Sequence, residues 1–198
     1  MKLYITVPSP FARKCRIVAR EKGLIGRIEE IAVDPYANAP ELLASNPVVQ
    51  VPTLIAEDGL PLNDSPVICE YLDALGTGPR LLPADGADRL RVRRLETLGA
   101  QALEMGVKLL LELRRPEAEQ SPSWIARWTG NMARALDALE AARPDPARLD
   151  LGVITAGVAV TWIGFRHPGF DLASGRPGLV ALQAALETRP SFADTRPG

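Results

Sequence analysis

The sequence predicts an α/β domain followed by an all-α domain, and three observations carry this prediction. Over about the first 75 residues, short β-branched apolar runs alternate with short helical patterns, as in a sheet joined by crossover helices. Residues 76–83 then cluster Gly and Pro, which break helices and strands. Beyond them, apolar residues recur only at helical spacing. We therefore expect a domain at residues 1–75, a linker at 76–86 and a helical domain at 87–198.

The chain opens with a predicted strand and a predicted helix. Apolar Leu3, Ile5 and Val7 alternate with more polar residues, which is typical of a half-buried strand. Ser9 is expected as the N-cap of the helix and Pro10 as its first residue, since both residue types are favoured there. One face of this helix is apolar, and the opposite face carries the cations Arg13, Lys14, Arg16 and Arg20.

The rest of the predicted N-terminal domain comprises a strand, a short helix, a hairpin and a helix, at residues 28–33, 40–45, 51–62 and 66–75. Pro52 opens the first strand of the hairpin, where its missing N–H breaks no interior ladder bond. Turn residues at 57–59 join the two strands. Ser65 is expected as the N-cap of the last helix and Pro66 as its first residue.

The second half of the chain is predicted to be helical throughout, with helices that begin near residues 85, 121, 151 and 177. The run at 151–165 carries no charge, but it is shorter than the roughly 18–20 residues needed to cross a bilayer. We interpret it as a buried helix. Trp124 and Trp128 are expected to pack in the protein rather than to line a substrate pocket.

The composition argues against several functions. A net charge of −1 and a pI near 5.9 leave no basic bias, so we expect neither nucleic-acid binding nor binding to an anionic membrane. The N-terminal apolar run is too short for a secretory signal, which favours a cytoplasmic protein. Cys15, Cys69 and the single His167 lie far apart and in no metal-binding spacing, so no metal is expected.

Residues 48–68 carry groups suited to a small acidic peptide. A residue before proline is held extended, so Val51 can offer its N–H and C=O to a peptide main chain. At the predicted helix start, free N–H groups and the Ser65 hydroxyl can hold a carboxylate, while Asp64 can pair with an ammonium group. Together these groups suit the head of an α-amino acid. Taken alone, Asp64 and Ser65 are equally well explained by a solvated turn and an ordinary helix cap.

Ser9 is the candidate for chemistry. It stands between the first strand and the first helix, where its hydroxyl can donate a hydrogen bond to the sulfur of a ligand thiol as that sulfur ionises. Without residues 48–68, a plain N-cap would be the simpler interpretation. Cys15 has cationic neighbours that would suit a redox nucleophile, but it lies on the apolar helix face, so we place it and Cys69 in the core.

These residues give the chain a resemblance to bacterial, cytosolic-type members of the glutathione S-transferase superfamily that use a catalytic serine. The superfamily pattern runs N-P-x-G-x-V-P-x-L and, after a hairpin, E/D-S-x-x-I, and residues 46–54 and 64–68 are similar to it. Residues 9–11, Ser-Pro-Phe, resemble the segment that carries the catalytic serine. The resemblance implies a thioredoxin-like N-terminal domain, an all-helical C-terminal bundle and a cis peptide bond before Pro52.

The resemblance also implies a set of contacts with glutathione. The backbone of Val51 would pair with the cysteinyl unit, Asp64 and Ser65 would hold the γ-glutamyl head, and Ser9 would be the catalytic residue. Gln50 can reach the glycyl end, but it is equally plausible as a surface side chain. The implied glutathione-binding residues are Ser9, Phe11, Gln50, Val51, Pro52, Asp64 and Ser65.

One segment departs from the family pattern. Relatives begin the central helix with S/T-x-x-D, whereas residues 150–153 here read Asp-Leu-Gly-Val. Asp150 can still cap the helix, but Val153 cannot hydrogen-bond back to the helix start, so we expect a loss below about 1 kcal/mol. On this interpretation, Val153→Asp would not lower the thermal stability.

The expected function is that of a glutathione transferase, in which the thiolate of glutathione, as co-substrate, attacks a small electrophile. Detoxification and a homodimer, with the long helix after the linker at the interface, are implied by the resemblance. Two alternatives remain open. One is a glutathione-binding or protein-interaction module without catalysis, and the other is a glutathione-dependent isomerase or peroxidase.

Overall fold

A computed structural model describes the whole chain, from Met1 to Gly198, and confirms the predicted fold class. The N-terminal domain is thioredoxin-like with a four-stranded mixed sheet, and eight α-helices occur along the chain. By packing, the chain forms two compact units: unit 1 comprises residues 1–82 and 189–198, and unit 2 comprises residues 83–188. The division into domains at 75 and 87 stays a prediction.

The sheet of unit 1 has the strand order β2-β1-β3-β4, with β1 at Lys2–Ile5, β2 at Glu29–Ala32, β3 at Thr53–Ile55 and β4 at Pro61–Asn63. Strand β1 pairs parallel with β2 and antiparallel with β3, while β3 and β4 form the predicted hairpin. Leu3, Tyr4 and Ile5 are all buried. The expected alternation along β1 is therefore wrong, because both faces of this central strand are covered.

The eight helices are α1 (Pro10–Glu21), α2 (Pro40–Ser45), α3 (Ser65–Leu75), α4 (Gly86–Leu113), α5 (Pro122–Ala142), α6 (Leu151–Arg166), α7 (Pro177–Leu186) and α8 (Pro190–Ala193). Five of them begin with proline, whose fixed φ suits the first helical position and whose missing N–H would have no partner there. Proline and cap residues therefore fix the helix starts close to where the sequence predicts them.

Helix α1 is buried on more than its apolar face. Arg13 and Lys14, which the sequence placed on the opposite face, are each 1% exposed. The Arg13 guanidinium donates a hydrogen bond to the carbonyl oxygen of Phe192 at 3.0 Å and lies 5.6 Å from the centre of that ring. The C-terminal segment that contains Phe192 thus covers the side of α1 that carries Arg13.

A carboxylate on α1 anchors this C-terminal segment. Arg189 donates two hydrogen bonds to the Glu21 carboxylate, at 3.0 and 2.8 Å, and the Ser191 hydroxyl donates a third. Burial alone would raise the pKa of Glu21, but the hydrogen bonds from Arg189 and Ser191 outweigh it and hold that pKa below its usual value. Residues 189–198 are therefore attached to unit 1 by charge as well as by packing.

A buried ion pair fixes the segment that follows α3. The Lys22 ammonium lies 3.0 Å from the Asp73 carboxylate, and both side chains are 1% exposed. Asp73 also accepts the backbone N–H groups of Leu81 and Leu82, at 2.9 and 3.1 Å, and Lys22 donates to the Pro79 carbonyl at 2.9 Å. A buried pair needs such additional partners, so the chain at 79–82 is held against α1 and α3.

Unit 2 is built around α6, which is buried along most of its length. Helix α4 packs against both α5 and α6. Asp150 caps α6 as predicted: one carboxylate oxygen accepts the Val153 N–H at 2.9 Å, and the other accepts a hydrogen bond from Arg91 at 2.9 Å. None of the helices combines the length and the apolar character needed to cross a membrane.

Candidate functional site

Three chain segments meet at one end of the sheet. In the antiparallel pairing of β1 with β3, Tyr4 lies opposite Thr53, so the chain leaving β1 emerges beside the chain that enters β3. Thr53 also lies opposite Asn63, which brings the chain leaving β4 to the same end. The fold thereby gathers the segments that carry the predicted site residues Ser9, Val51, Asp64 and Ser65.

Val51 presents unpaired backbone groups at this end. The bond between Val51 and Pro52 is cis, as the resemblance implied. Strand β3 begins only at Thr53, and neither the N–H nor the C=O of Val51 makes a hydrogen bond within the chain. Because backbone polar groups require partners, these two groups are suited to an extended peptide laid alongside them.

The start of α3 differs from the prediction by one residue. The helix begins at Ser65, so Asp64 is the N-cap, and its side chain makes no capping hydrogen bond. Asp64 has a φ of 69°, an uncommon conformation for a residue other than glycine. The carboxylate of Asp64 is exposed, and the Ser65 hydroxyl makes no hydrogen bond within the chain.

The first turn of α3 also leaves backbone donors open. The Ile68 N–H bonds to the Asp64 carbonyl at 3.1 Å, Pro66 has no N–H, and the N–H groups of Ser65 and Val67 have no acceptor within the chain. These donors point toward the positive end of the helix dipole. The start of α3 therefore combines donors for a carboxylate with an exposed acidic side chain.

Ser9 is the N-cap of α1, as predicted. Its side-chain oxygen accepts the Ala12 N–H at 3.2 Å, and its own N–H donates to the Thr6 carbonyl at 3.1 Å. The hydroxyl acts as an acceptor in the cap, so its hydrogen is free to be donated to a ligand. Phe11, in the first turn of α1, is half-buried. Capping the helix and donating to a sulfur are therefore compatible roles for one hydroxyl.

Gln50 is exposed, and its side chain makes no hydrogen bond within the chain. Its carbonyl oxygen, by contrast, accepts two hydrogen bonds, from the Asn46 side chain at 3.1 Å and from the Thr53 hydroxyl at 2.8 Å. The backbone of Gln50 is thus fixed while the side chain is not. A contact of this side chain with the glycyl end of a ligand stays a prediction.

Two residues beside the site were missed by sequence reasoning. Asn46 is buried and makes several side-chain hydrogen bonds, and Val49 has a φ of 51°, in the left-handed region. The superfamily pattern has glycine at the position of Val49, and that was the available signal, because glycine alone adopts this φ without strain.

The remaining candidates from the sequence lie elsewhere. Cys15 and Cys69 are fully buried, with their sulfur atoms 3.7 Å apart, which confirms a place in the core. His167 is buried, and one of its ring nitrogens lies 2.9 Å from the Gly106 carbonyl oxygen. The ring centres of Trp124 and Trp128 lie 5.3 Å apart in a stacked arrangement. Trp128 is half-buried, as expected of a packed residue, whereas Trp124 is 50% exposed, so the expectation is wrong for Trp124.

A groove of about 420 Å³ lies on unit 2. It is lined by residues of α4 and α5, among them Leu98, Met105 and Arg134. None of the residues predicted for the site at the end of the sheet lines this groove.

Residues 8–75 match the family model described as glutathione S-transferase, N-terminal domain. The chain is 35% identical to the uncharacterized GST-like protein YibF of Escherichia coli K12, over all of this chain and 98% of the relative. It is 32% identical to a maleylacetoacetate isomerase of Pseudomonas aeruginosa, over 70% of this chain and 69% of the relative.

A solved structure is similar over the full length. This is a glutathione transferase family member from Pseudomonas fluorescens Pf-5 with bound glutathione, which superimposes with a TM-score of 0.95 at 31% identity. The match covers all of this chain and 98% of the other. The similarity therefore extends over both units and not only over the residues of the family model.

Proposed function

Because the chain belongs to the glutathione S-transferase superfamily, we propose that it binds glutathione and stabilises the thiolate for transfer to a small electrophile. The observation that carries the proposal is the set of unpaired groups gathered at one end of the sheet: the Val51 N–H and C=O, the N–H groups and hydroxyl at the start of α3, and the exposed Asp64 carboxylate. Glutathione is a peptide with an α-amino acid head, and it offers a partner to each of these groups.

The binding contacts follow from the chemistry of each group. The Val51 N–H and C=O pair with the cysteinyl main chain, in the manner of a strand added to a sheet edge. Asp64 pairs with the α-ammonium group of the γ-glutamyl head, and the N–H and hydroxyl of Ser65 hold its carboxylate. We assign the side chain of Gln50, which is exposed, to the glycyl end of glutathione.

Ser9 acts on the sulfur. A free thiol has a pKa near 8.5, and lowering it by about two units corresponds to roughly 2.7 kcal/mol of preference for the thiolate. One hydrogen bond from the Ser9 hydroxyl to a charged sulfur, together with the N-terminus of α1, supplies an interaction of that size. The Ala12 N–H that bonds to the Ser9 oxygen strengthens the hydroxyl as a donor.

The thiolate then attacks the electrophilic carbon of a second substrate held beside it, and the sulfur–carbon bond forms as the leaving group departs or the double bond accepts a proton. Holding the two reactants together supplies the rest of the rate. No metal takes part in this proposal. The proposal also includes a homodimer with α4 at its interface. It further includes a cytoplasmic location and a role in detoxification.

The test is an ultraviolet difference titration with glutathione at neutral pH, comparing wild type with Ser9→Ala. We expect a saturable thiolate absorption band in wild type that is lost in Ser9→Ala, while glutathione still binds to the variant. Equal bands in both proteins would contradict the role of Ser9. Saturable binding without a band in either protein would instead favour a module that binds glutathione without activating it.

A glutathione-dependent isomerase is the second candidate, and the similarity to a maleylacetoacetate isomerase over about two thirds of both chains favours it. A thiolate that adds reversibly to an activated double bond allows rotation and then leaves, so glutathione is regenerated. The same thiolate site serves both reactions. Product analysis distinguishes them, because conjugation consumes glutathione in proportion to product and isomerisation leaves its concentration unchanged.

A further inference from the structure

The loop between α2 and β3 is organised by one buried amide. Asn46 follows α2, is 1% exposed, and lies among backbone groups of the loop that leads to Val51. Burial of a side-chain amide is unfavourable unless its donors and acceptors are satisfied. The four hydrogen bonds of this side chain therefore indicate what the residue holds in place.

The amide nitrogen of Asn46 donates to the Gln50 carbonyl at 3.1 Å and to the Thr53 hydroxyl at 2.9 Å. The amide oxygen accepts the Val48 N–H at 3.1 Å and a longer hydrogen bond, of 3.4 Å, from Asn63 on β4. The Thr53 hydroxyl in turn donates to the same Gln50 carbonyl at 2.8 Å. One side chain thus connects the loop to both strands of the hairpin.

The Gln50 carbonyl shares a planar peptide group with the Val51 N–H, since the two atoms belong to the same peptide unit. Two hydrogen bonds to the carbonyl oxygen therefore fix the direction of the N–H on the other side of that plane. The Val51 N–H has no partner within the chain. Its direction is consequently set by Asn46 and Thr53 and not by pairing of its own.

The same loop contains the left-handed Val49, whose N–H donates to the Asn46 carbonyl at 2.9 Å. A β-branched residue at positive φ is strained and persists only where its surroundings fix it. Without the Asn46 side chain, relaxation of Val49 would rotate the peptide group between Gln50 and Val51. The strained turn makes the orientation of Val51 depend on the amide network.

We infer that Asn46, with Thr53, is a positioning residue that pre-orients the Val51 N–H for the peptide ligand. The consequence for glutathione rests on the proposed function, whereas the orientation of the amide does not. A pre-oriented donor binds without first losing its own freedom, so the effect belongs in binding and not in the chemical step. We expect KM for glutathione to rise in variants and kcat at saturating glutathione to stay unchanged.

The experiment compares Asn46→Ala, Asn46→Asp, Thr53→Val and the conservative Thr53→Ser with wild type. The first readout is the NMR order parameter of the Val51 amide in the free protein. We expect about 0.85 in wild type and in Thr53→Ser, and below about 0.6 in Asn46→Ala. The second readout is the Kd for glutathione by calorimetry, which should rise about tenfold in Asn46→Ala and less in Thr53→Val.

Thr195→Val is the matched control for stability. It removes another buried hydroxyl of unit 1, one that donates to the Ser191 carbonyl at 2.8 Å and is distant from the loop in sequence. This variant should lower the melting temperature and leave both the Val51 amide and the Kd unchanged. A change of Kd in Thr195→Val equal to that in Asn46→Ala would show a general effect of destabilisation and overturn the positioning role.

The outcomes separate the two proposals. If wild type fails to bind glutathione, the proposed function fails, and the order parameter alone decides the role of Asn46. If a folded Asn46→Ala keeps a rigid Val51 amide, the inference is overturned. Should Asn46→Ala fail to fold, Asn46→Asp and Thr53→Val report on the same hydrogen bonds to Gln50, and wild-type behaviour in both would overturn it equally.

Discussion

At the scale of single residues, Val49 is the residue in most conflict with its backbone. Left-handed φ costs an L-residue about 1–2 kcal/mol, and Val49 has a φ of 51° beside the proposed peptide site. Such strain is often found where a loop presents backbone to a ligand. Here it lies two residues before Val51, whose N–H and C=O have no partner within the chain.

Replacing Val49 with glycine should therefore stabilise the protein. Relief of strain exceeds the added entropy of glycine in the unfolded chain, so we expect Val49→Gly to raise the free energy of unfolding by about 0.5–1 kcal/mol. Urea denaturation measures this as a higher midpoint at unchanged slope. Val48→Gly is the control, because Val48 is exposed and has no positive φ, and it should destabilise. If Val49→Gly and Val48→Gly lowered the free energy of unfolding equally, the claim that Val49 is strained would be contradicted.

At the scale of elements, much of the fold could be predicted because its signals are local. A cap residue followed by proline predicts a helix start from two adjacent residues, as at α1 and α5. Turn residues between two apolar runs likewise predict the hairpin of β3 and β4. The parts of the site on Ser9, Val51 and Asp64 also lie in short recognisable patterns. Burial of Arg13 and the bonding of Asn46 to Asn63 could not be predicted, because both depend on segments distant in sequence.

Helix α6 shows where a local rule fails. The expectation that Val153→Asp would not lower stability considered only the capping pattern, but Val153 is 1% exposed. An aspartate there would bury a carboxylate, so we now expect a loss of more than about 2 kcal/mol in the free energy of unfolding. Asp150→Ala should lose about 1–2 kcal/mol, since it removes the cap and the partner of Arg91. Thermal unfolding of both variants measures this, and an unchanged Val153→Asp would restore the original expectation.

At the scale of the whole molecule, unit 1 is made from both ends of the chain. Residues 189–198 rejoin residues 1–82 after the entire length of unit 2. Glu21 receives the hydrogen bonds that fasten this segment, and they hold its pKa below the usual value against the effect of burial. The negative charge of Glu21 on α1 therefore stabilises the attachment of residues 189–198 to the rest of unit 1.

The pH dependence of stability should report on this attachment. A carboxyl whose pKa is lower in the folded than in the unfolded protein contributes stability above the unfolded value, near 4.5, and loses it as the pH falls through the folded value. We expect Glu21→Gln to lower the free energy of unfolding by about 1 kcal/mol at pH 7, because it removes the charge to which Arg189 bonds. The loss is no larger because Arg189 is partly exposed and solvent screens the ion pair. The difference from wild type should shrink as the pH is lowered below 4.5 and through the folded pKa of Glu21.

Glu57→Gln is the control for this prediction. Glu57 pairs with Arg27, but both side chains are 46% exposed, so its removal should change the unfolding free energy by only a few tenths of a kcal/mol. Urea denaturation at several pH values measures both variants. A loss in Glu21→Gln no larger than that in Glu57→Gln would mean that packing alone holds the C-terminal segment.

The return of residues 189–198 to unit 1 also bears on biosynthesis. A ribosome delivers residues 1–82 first and must then translate all of 83–188 before the closing segment appears, a delay on the order of ten seconds at about 5–20 residues per second. During that interval α1 lacks the cover that Phe192 and Arg189 provide. The four strands of unit 1 are therefore present in the nascent chain before the segment that covers α1 has been made.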